Sequence, residues 1–300
     1  MATPEHCYLE LDLAPGRTPT DLARGLAAVA GPPSSTDGVN VVIGFRPELW
    51  AQLDPAAAPP DAESWTEDLR GSDGYRMPAT QHDAWVWVAG GNRTSVFDYS
   101  GRVVEAAEGV ATVATELIGW VYKSDRDLTG FIDGTENPSL LQAPAVACVP
   151  AGEPGAGAGV LLYQKWVLDA DAWNATSVRE QELAMGRAKA DSQELSREDK
   201  PASAHIARTV IEADGQEQKI FRRNVAYGGV SEHGTVFVGF SAQQWRLAEM
   251  LRRMAGVGDG VRDALTYYLT PLTGAYYTIP TVESLAALAP ELAALAPEEE

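Results

Sequence analysis

Few residues in this chain have the type and spacing to do chemistry, and one short loop gathers several of them. Asp133-Gly134-Thr135-Glu136-Asn137-Pro138 packs two carboxylates, a glycine and a proline into a sharp turn. Such a loop can aim a carboxylate into a cavity while the glycine lets backbone approach closely. It can equally be a plain turn, and the spacing of a calcium-binding EF-hand loop is absent. The four histidines, His6, His82, His205 and His233, are scattered and form no metal cluster by local spacing. A lone histidine such as His205 is either a hydrogen-bonded or surface residue or a ligand. Cys7 and Cys148 lie far apart, outside any Cys-x-x-Cys pair, so no zinc or iron–sulfur framework is visible. One disulfide is compatible with that count, and nothing in the spacing supports it. There is no His-Glu-x-x-His, no Gly-x-Ser-x-Gly and no phosphate-binding glycine loop with its lysine, so hydrolase and nucleotide chemistry have no motif to stand on.

The longer segment Leu128-Thr129-Gly130-Phe131-Ile132-Asp133-Gly134-Thr135-Glu136-Asn137-Pro138 closely resembles the Gly-x-x-Asp-Gly signature of the dye-decolorizing peroxidases. Further matches follow in order. Met185-Gly186-Arg187 with Lys189 resembles the family's helix end near the haem. Ser203-Ala204-His205-Ile206-Ala207-Arg208 resembles its proximal histidine segment. Lys219-Ile220-Phe221-Arg222 with Tyr227-Gly228 resembles its distal arginine segment. Arg262-Asp263-Ala264-Leu265, followed by Pro271-Leu272-Thr273-Gly274-Ala275-Tyr276-Tyr277 and Pro280, resembles its C-terminal segment. Pro4-Glu5-His6-Cys7 is similar to the start of the bacterial cytoplasmic branch. The resemblance spans nearly the whole chain.

It implies a haem-dependent peroxidase that reduces hydrogen peroxide and oxidises dyes, phenols or similar small-molecule reductants. One haem b per chain would be held in the C-terminal half. His205 becomes the iron ligand, and Asp263 the carboxylate on its other ring nitrogen, a partner that makes the imidazole a stronger electron donor. Peroxide activation needs a proton acceptor and a cation near the departing oxygen, and Asp133 and Arg222 supply one of each. Asn224 matches a position that can line the same pocket. Thr135 and Glu136 follow Asp133 on the cofactor side. Arg187 and Arg208 are candidates for the haem propionates, with salt bridges to local acids as the alternative. Phe240 packs against either the porphyrin or the core. Trp166 and Tyr163 could relay an electron or simply pack. Two other readings use the same pocket: a porphyrin- or haem-handling enzyme (porphyrinogen oxidation or iron release), and a non-enzymatic haem sensor or carrier. A carrier needs neither a proton shuttle nor a charge clamp, so Asp133 and Arg222 together favour the peroxidase.

The elements that must position these residues follow a repeated rhythm. Tyr8 to Leu13 alternates leucines with acids and predicts a half-buried strand. A helix start at Pro19-Thr20-Asp21, strands over Val39–Phe45 and Ala84–Ala89, a helix over Arg93–Glu108 and a strand over Ile118–Lys123 complete a ferredoxin-like split βαβ order. Pro55–Asp68 reads as irregular loop. After the Gly-rich Ala151–Gly159 connector the rhythm resumes. A strand is predicted over Val160–Leu168, a helix over Val178–Lys189, strands over Thr209–Glu212, Lys219–Arg223 and Thr235–Phe240, and a helix over Gln243–Met254. The expected fold class is therefore α+β, with two ferredoxin-like halves of the dimeric α+β barrel type. The halves are residues 1–145, ending with the acidic loop, and residues 146–300, holding the haem. The tail LAALAPELAALAPEEE should form short helical turns or fray.

The chain has 300 residues, 45% of them hydrophobic and 22% charged, which fits a globular protein. Its net charge of −19 argues against nucleic acid and anionic membrane as partners. The N-terminus lacks a basic region followed by an apolar run, and no stretch approaches the roughly 18 apolar residues of a membrane span, so the cytoplasm is the default. Relatives suggest a homo-oligomer.

Overall fold

A computed structural model describes residues 3–30, 38–123 and 126–290. Eight long strands, numbered here in chain order, build its centre. They are β1 (Glu5–Leu13), β2 (Asn40–Phe45), β3 (Ala84–Gly90), β4 (Ala111–Trp120), β5 (Gly159–Leu168), β6 (Phe221–Gly228), β7 (His233–Ser241) and β8 (Ala275–Ile279). Every neighbouring pair is antiparallel. The first half runs β4-β1-β3-β2 and the second β6-β7-β5-β8, each the ferredoxin-like order. The halves join edge to edge. β6 meets β4 through Ala226–Trp120 and Tyr227–Gly119, and β8 meets β2 through Thr278–Phe45. Joining at both seams closes a barrel, which leaves no long open edge.

Closure buries both faces of most strands. Outside the first half, Leu9 and Leu11 pack on Leu22 and Leu26 of α1 (Pro19–Ala27) and on Val96 and Val103 of α2 (Arg93–Ala106). The start of α1 is set by a capping box between Thr18 and Asp21 with Pro19 in the first turn. Outside the second half, Leu162 and Trp166 pack on Leu247, Met250, Leu251 and Met254. The interior is filled by Tyr8, Trp85, Trp87, Tyr163, Tyr227 and Tyr277. Glu10, expected on the wet face of a half-buried strand, is instead 1% exposed inside the barrel.

Several boundaries differ from expectation. β4 begins at Ala111, ahead of the expected start, and its first half is a mostly exposed run. Residues 205–209 form a short helix, α4 (His205–Thr209), where a strand was expected to begin at Thr209. The helix predicted over Val178–Lys189 is α3 (Val178–Met185), stopped by Gly186 in the left-handed region (φ +87°). Any side chain at Gly186 would strike Ile206 Cγ2, so this glycine also lets the end of α3 approach α4. α5 (Gln244–Met254) matches its prediction within a residue. A helix over Pro47–Leu53 and strand β8 carried no expectation. The expected division at 145/146 falls within a short helix, Ala143–Ala147. Most of the predicted tail lies outside the described residues.

Candidate active site

A cleft lies between the outer face of the second-half sheet and the helices that cover it. The sheet contributes Gln164 and Trp166 from β5, Arg222 and Asn224 from β6, and Thr235 and Phe237 from β7. The helical layer contributes His205 and Ile206 from α4 and Met250, Leu251 and Met254 from α5. The loop carrying Asp127, Phe131, Asp133, Thr135 and Glu136 closes a third side. Charged groups therefore sit in a mostly apolar enclosure, where each electrostatic contact counts for more than it would in water.

His205 stands at the N-terminus of α4, and its Nδ1–H donates to Asp263 Oδ2 at 2.7 Å. Asp263 is 0% exposed, and its other oxygen accepts the Leu265 N–H at 2.9 Å. That carboxylate is fixed at the start of a 3-10 turn, so it fixes the ring and leaves Nε2 free of this bond.

Asp133 is held by Asn224. The Asn224 backbone N–H donates to Oδ2 at 3.1 Å and its Nδ2 to Oδ1 at 2.7 Å. Gly134 follows in the left-handed region (φ +80°), which lets the loop turn sharply behind the carboxylate. Arg222 precedes Asn224 by two residues and shares its face of β6. Asn137, at the end of the same loop, accepts the Arg222 N–H at 2.9 Å and donates to the Arg222 carbonyl at 2.7 Å. One loop thus aims Asp133 and clamps the strand that carries Arg222.

Glu136 pairs with Arg187, whose Nη1 also donates to the Ser192 carbonyl at 2.6 Å; both side chains, with Thr135, line the cleft. Two expected cofactor contacts are not brought to the cleft. Arg208 is buried elsewhere, donating to Asp259 through both terminal nitrogens (2.8 and 3.0 Å) and to the Arg253 carbonyl through Nε. Phe240 packs in the barrel interior against Trp87 and Phe221, because it lies three residues from Phe237 and so points the other way. Phe237, not Phe240, is the β7 aromatic that lines the cleft. Of the two suggested relay residues, Trp166 lines the cleft and Tyr163 is inside the barrel. Cys7 and Cys148 are both free.

Sequence reasoning also missed Asp127 and Gln164. Asp127 lines the cleft, and its Oδ1 accepts from the Thr129 N–H at 2.9 Å and from the Thr129 hydroxyl. Burial pushes its carboxyl up to about 6, and the nearby Asp133 charge adds to this against the Thr129 bonds. The Asp-x-Thr spacing was the available signal, since it marks a side chain that bonds its own turn.

A haem fits this enclosure by three observations. The walls are largely apolar and aromatic, as a porphyrin face requires. Among the described residues no group of three or more His, Cys, Asp or Glu could hold a bare metal ion, whereas a single His205 suffices for an iron whose in-plane ligands arrive with a macrocycle. Two buried donors at the cleft, Arg222 Nε and Gln164 Nε2, lack acceptors among the described residues, an unstable condition unless something else meets them.

The family model "Dyp-type peroxidase, C-terminal" matches residues 124–284. The chain is 35% identical over 266 residues to the dye-decolorizing peroxidase of Mycolicibacterium paratuberculosis, covering 87% of this chain and 75% of that one. It is 34% identical to the dye-decolorizing peroxidase of Mycobacterium tuberculosis, over 87% and 79% of the two chains. The chain belongs to the dye-decolorizing peroxidase family. A variant of Rhodococcus jostii RHA1 DypB in complex with heme superposes with a TM-score of 0.86 at 27% identity, over 94% of this chain and 95% of that one. As a member of this family the protein is a haem-dependent peroxidase, an oxidoreductase that takes peroxide and a reducing substrate. Among the described residues no helix is long and apolar enough to cross a membrane.

Proposed function

We propose that His205 would hold the iron of a single haem b, that Asp263 would orient and polarise this histidine, and that Asp133, Arg222 and Asn224 would meet the peroxide. The observation that carries this reading is the 2.7 Å bond from His205 Nδ1 to the buried Asp263, which commits one ring nitrogen and leaves the other to a metal. When bound, the haem supplies the electron exchange between peroxide and the reductant. The chain's own residues do the rest. Asp133, held by Asn224 on both oxygens, takes the peroxide proton and returns it to the departing oxygen. Arg222 places a permanent positive charge beside the oxygen that becomes negative. Trp166, Phe237, Met250 and Leu251 exclude water. Thr135, Glu136 and Arg187 act on the propionate side of the cleft, whereas Arg208 serves the fold through Asp259.

The two halves, 1–145 and 146–300, divide the work, the first ending in the loop that supplies Asp133 and the second supplying the haem pocket. A cytoplasmic setting is supported by the two free cysteines and by the resemblance of Pro4–Cys7 to the bacterial cytoplasmic branch. The exposed Phe97, Leu140 and Leu141 are apolar surface that a homo-oligomer would cover. Hydrogen peroxide and a dye or phenol are the substrates. The test is to purify the protein, read its visible spectrum and add peroxide, then a dye. One haem per chain, a spectrum that changes with peroxide and reverts as dye is consumed, is the expected result. A haem spectrum indifferent to peroxide would overturn it.

A further inference from the structure

Turnover needs protons that the cleft does not hold. Reducing one hydrogen peroxide to two waters consumes two electrons and two protons. The first step needs no outside proton, because Asp133 takes one from the peroxide and returns it to the departing oxygen. The return step, driven by the reductant, draws both protons from solvent. The cleft walls at Phe237, Met250 and Leu251 are apolar, so these protons need an entry.

A second cavity lies where the seam between β4 and β6 ends. The two strands pair only at Trp120–Ala226 and Gly119–Tyr227, and Val121 and Tyr122, just past the last pair, form one wall of the cavity. Arg126 lines it too. Asp127, Asp133, Arg222 and Asn224 line both this cavity and the cleft, so they form the partition between them. Asn224 holds both oxygens of Asp133, but Asp127 is held on one side only. Its Oδ1 accepts from the Thr129 N–H and hydroxyl, and among the described residues Oδ2 meets no donor. The charged groups facing Asp127 are Asp133 on its own loop, Arg126 beside it, Lys189 beyond α3 and Arg222 on β6. Arg126 Nη1 donates to the Gly130 carbonyl at 2.7 Å and Lys189 bonds Gln181, and among the described residues neither forms an ion pair with Asp127. Burial therefore dominates, and the carboxyl titrates at about 6, where it both takes and releases a proton readily. Capping the turn at Thr129 needs only Oδ1, and an asparagine would serve there without burying a charge.

We propose that Asp127 is the proton donor of the return step, passing solvent protons from the second cavity to Asp133. The proposal rests on the haem-peroxidase reading. For each proton, the Asp127 O–H bond breaks and, through water in the cavity, an O–H bond forms on the ionised Asp133 carboxylate. Asp133 then gives that proton to the oxygen being reduced, and Asp127 regains one from water beside Arg126. Two such transfers, with two electrons from the reductant, complete one water. Asp127 acts through Asp133, so it is a positioning residue.

The test uses the haem-loaded full chain in sequential stopped-flow mixing, with peroxide first and then a reductant whose own charge does not change with pH. The wild-type return rate should fall as pH rises through about 6. Asp127→Asn keeps the turn cap but carries no proton. Its return step should be slower on the order of 100-fold in acid and lose that pH dependence, while the peroxide step changes far less. Asp127→Glu should recover the rate and the pH dependence. Infrared spectra of the resting protein, labelled with carbon-13 at its aspartate carboxyls, give a second readout. A carboxylic-acid band should vanish as pH passes about 6 in wild type and be missing from Asp127→Asn. A wild-type return rate and pH dependence in Asp127→Asn, equal slowing of both steps, or the lack of that band in wild type would overturn the proposal. A wild-type spectrum that ignores peroxide would overturn the peroxidase reading first, and this proposal with it.

Discussion

Asn137 grips the backbone of Arg222 on both sides, accepting its N–H at 2.9 Å and donating to its carbonyl at 2.7 Å. The two residues are 85 positions apart, and this contact ties the acidic loop to the start of β6. Leaving such partly buried groups unpaired costs about 1–3 kcal/mol. Asn137→Ala should therefore retain haem but slow the reaction with peroxide, by less than loss of Arg222 itself. Stopped-flow mixing with peroxide reads this directly, and a wild-type rate would show that Arg222 needs no clamp.

Arg222 should contribute more than Asp133 at neutral pH. Water can partly replace a proton carrier, but it cannot replace a fixed charge. Losing one preorganised donor typically costs on the order of 100- to 1,000-fold in rate, and losing a positioned base roughly 100- to 10,000-fold, so the ranking is a real test. The chain's net charge of −19 makes an uncompensated departing hydroxide harder to form. Arg222→Leu should be slower with peroxide than Asp133→Ala, each first shown to hold haem. The reverse order would put proton transfer ahead of charge stabilisation.

Asp127 should make stability depend on pH. Its folded carboxyl titrates at about 6 against an ordinary 3.8, so between these values the folded state binds more protons than the unfolded one. Stability from this group is thus complete below the ordinary value, falls as pH rises toward about 6, and stays lowered beyond it. Asp127→Asn keeps an acceptor for the Thr129 N–H and removes the cost, on the order of 3 kcal/mol at neutral pH. The variant should melt higher than wild type at neutral pH, with the gap closing in acid. A gap that does not change with pH would contradict this.

Much of this was legible in the sequence because it was local. The acidic loop, the His205 and Arg222 segments and the split βαβ order are contiguous patterns. The facing of the strands was not legible. A closed barrel covered outside by helices buries both faces, so alternation no longer marks a wet side. That is why Glu10 was expected outward, and why nothing in the sequence singled out Phe237, which lines the cleft, while Phe240 packs in the interior. Arg208 sits one helical turn from His205, yet the acid that captures it, Asp259, is 51 residues on. The clamp of Asn137 on Arg222 likewise exists only once the loop and β6 meet.

Asp263→Asn should keep haem yet raise the iron reduction potential, since a neutral partner lends the imidazole less anionic character. A spectroelectrochemical titration measures this, and a potential equal to wild type would remove Asp263 from the electronics of the site.

The most direct measurement of the whole account is the visible absorption of haem-reconstituted His205→Ala. His205 is the only histidine lining the cleft among the described residues. Loss or gross alteration of the haem band, with recovery when free imidazole is added, is the predicted result. A band identical to wild type would show that iron is held by some other group, and would contradict the assignment of the site.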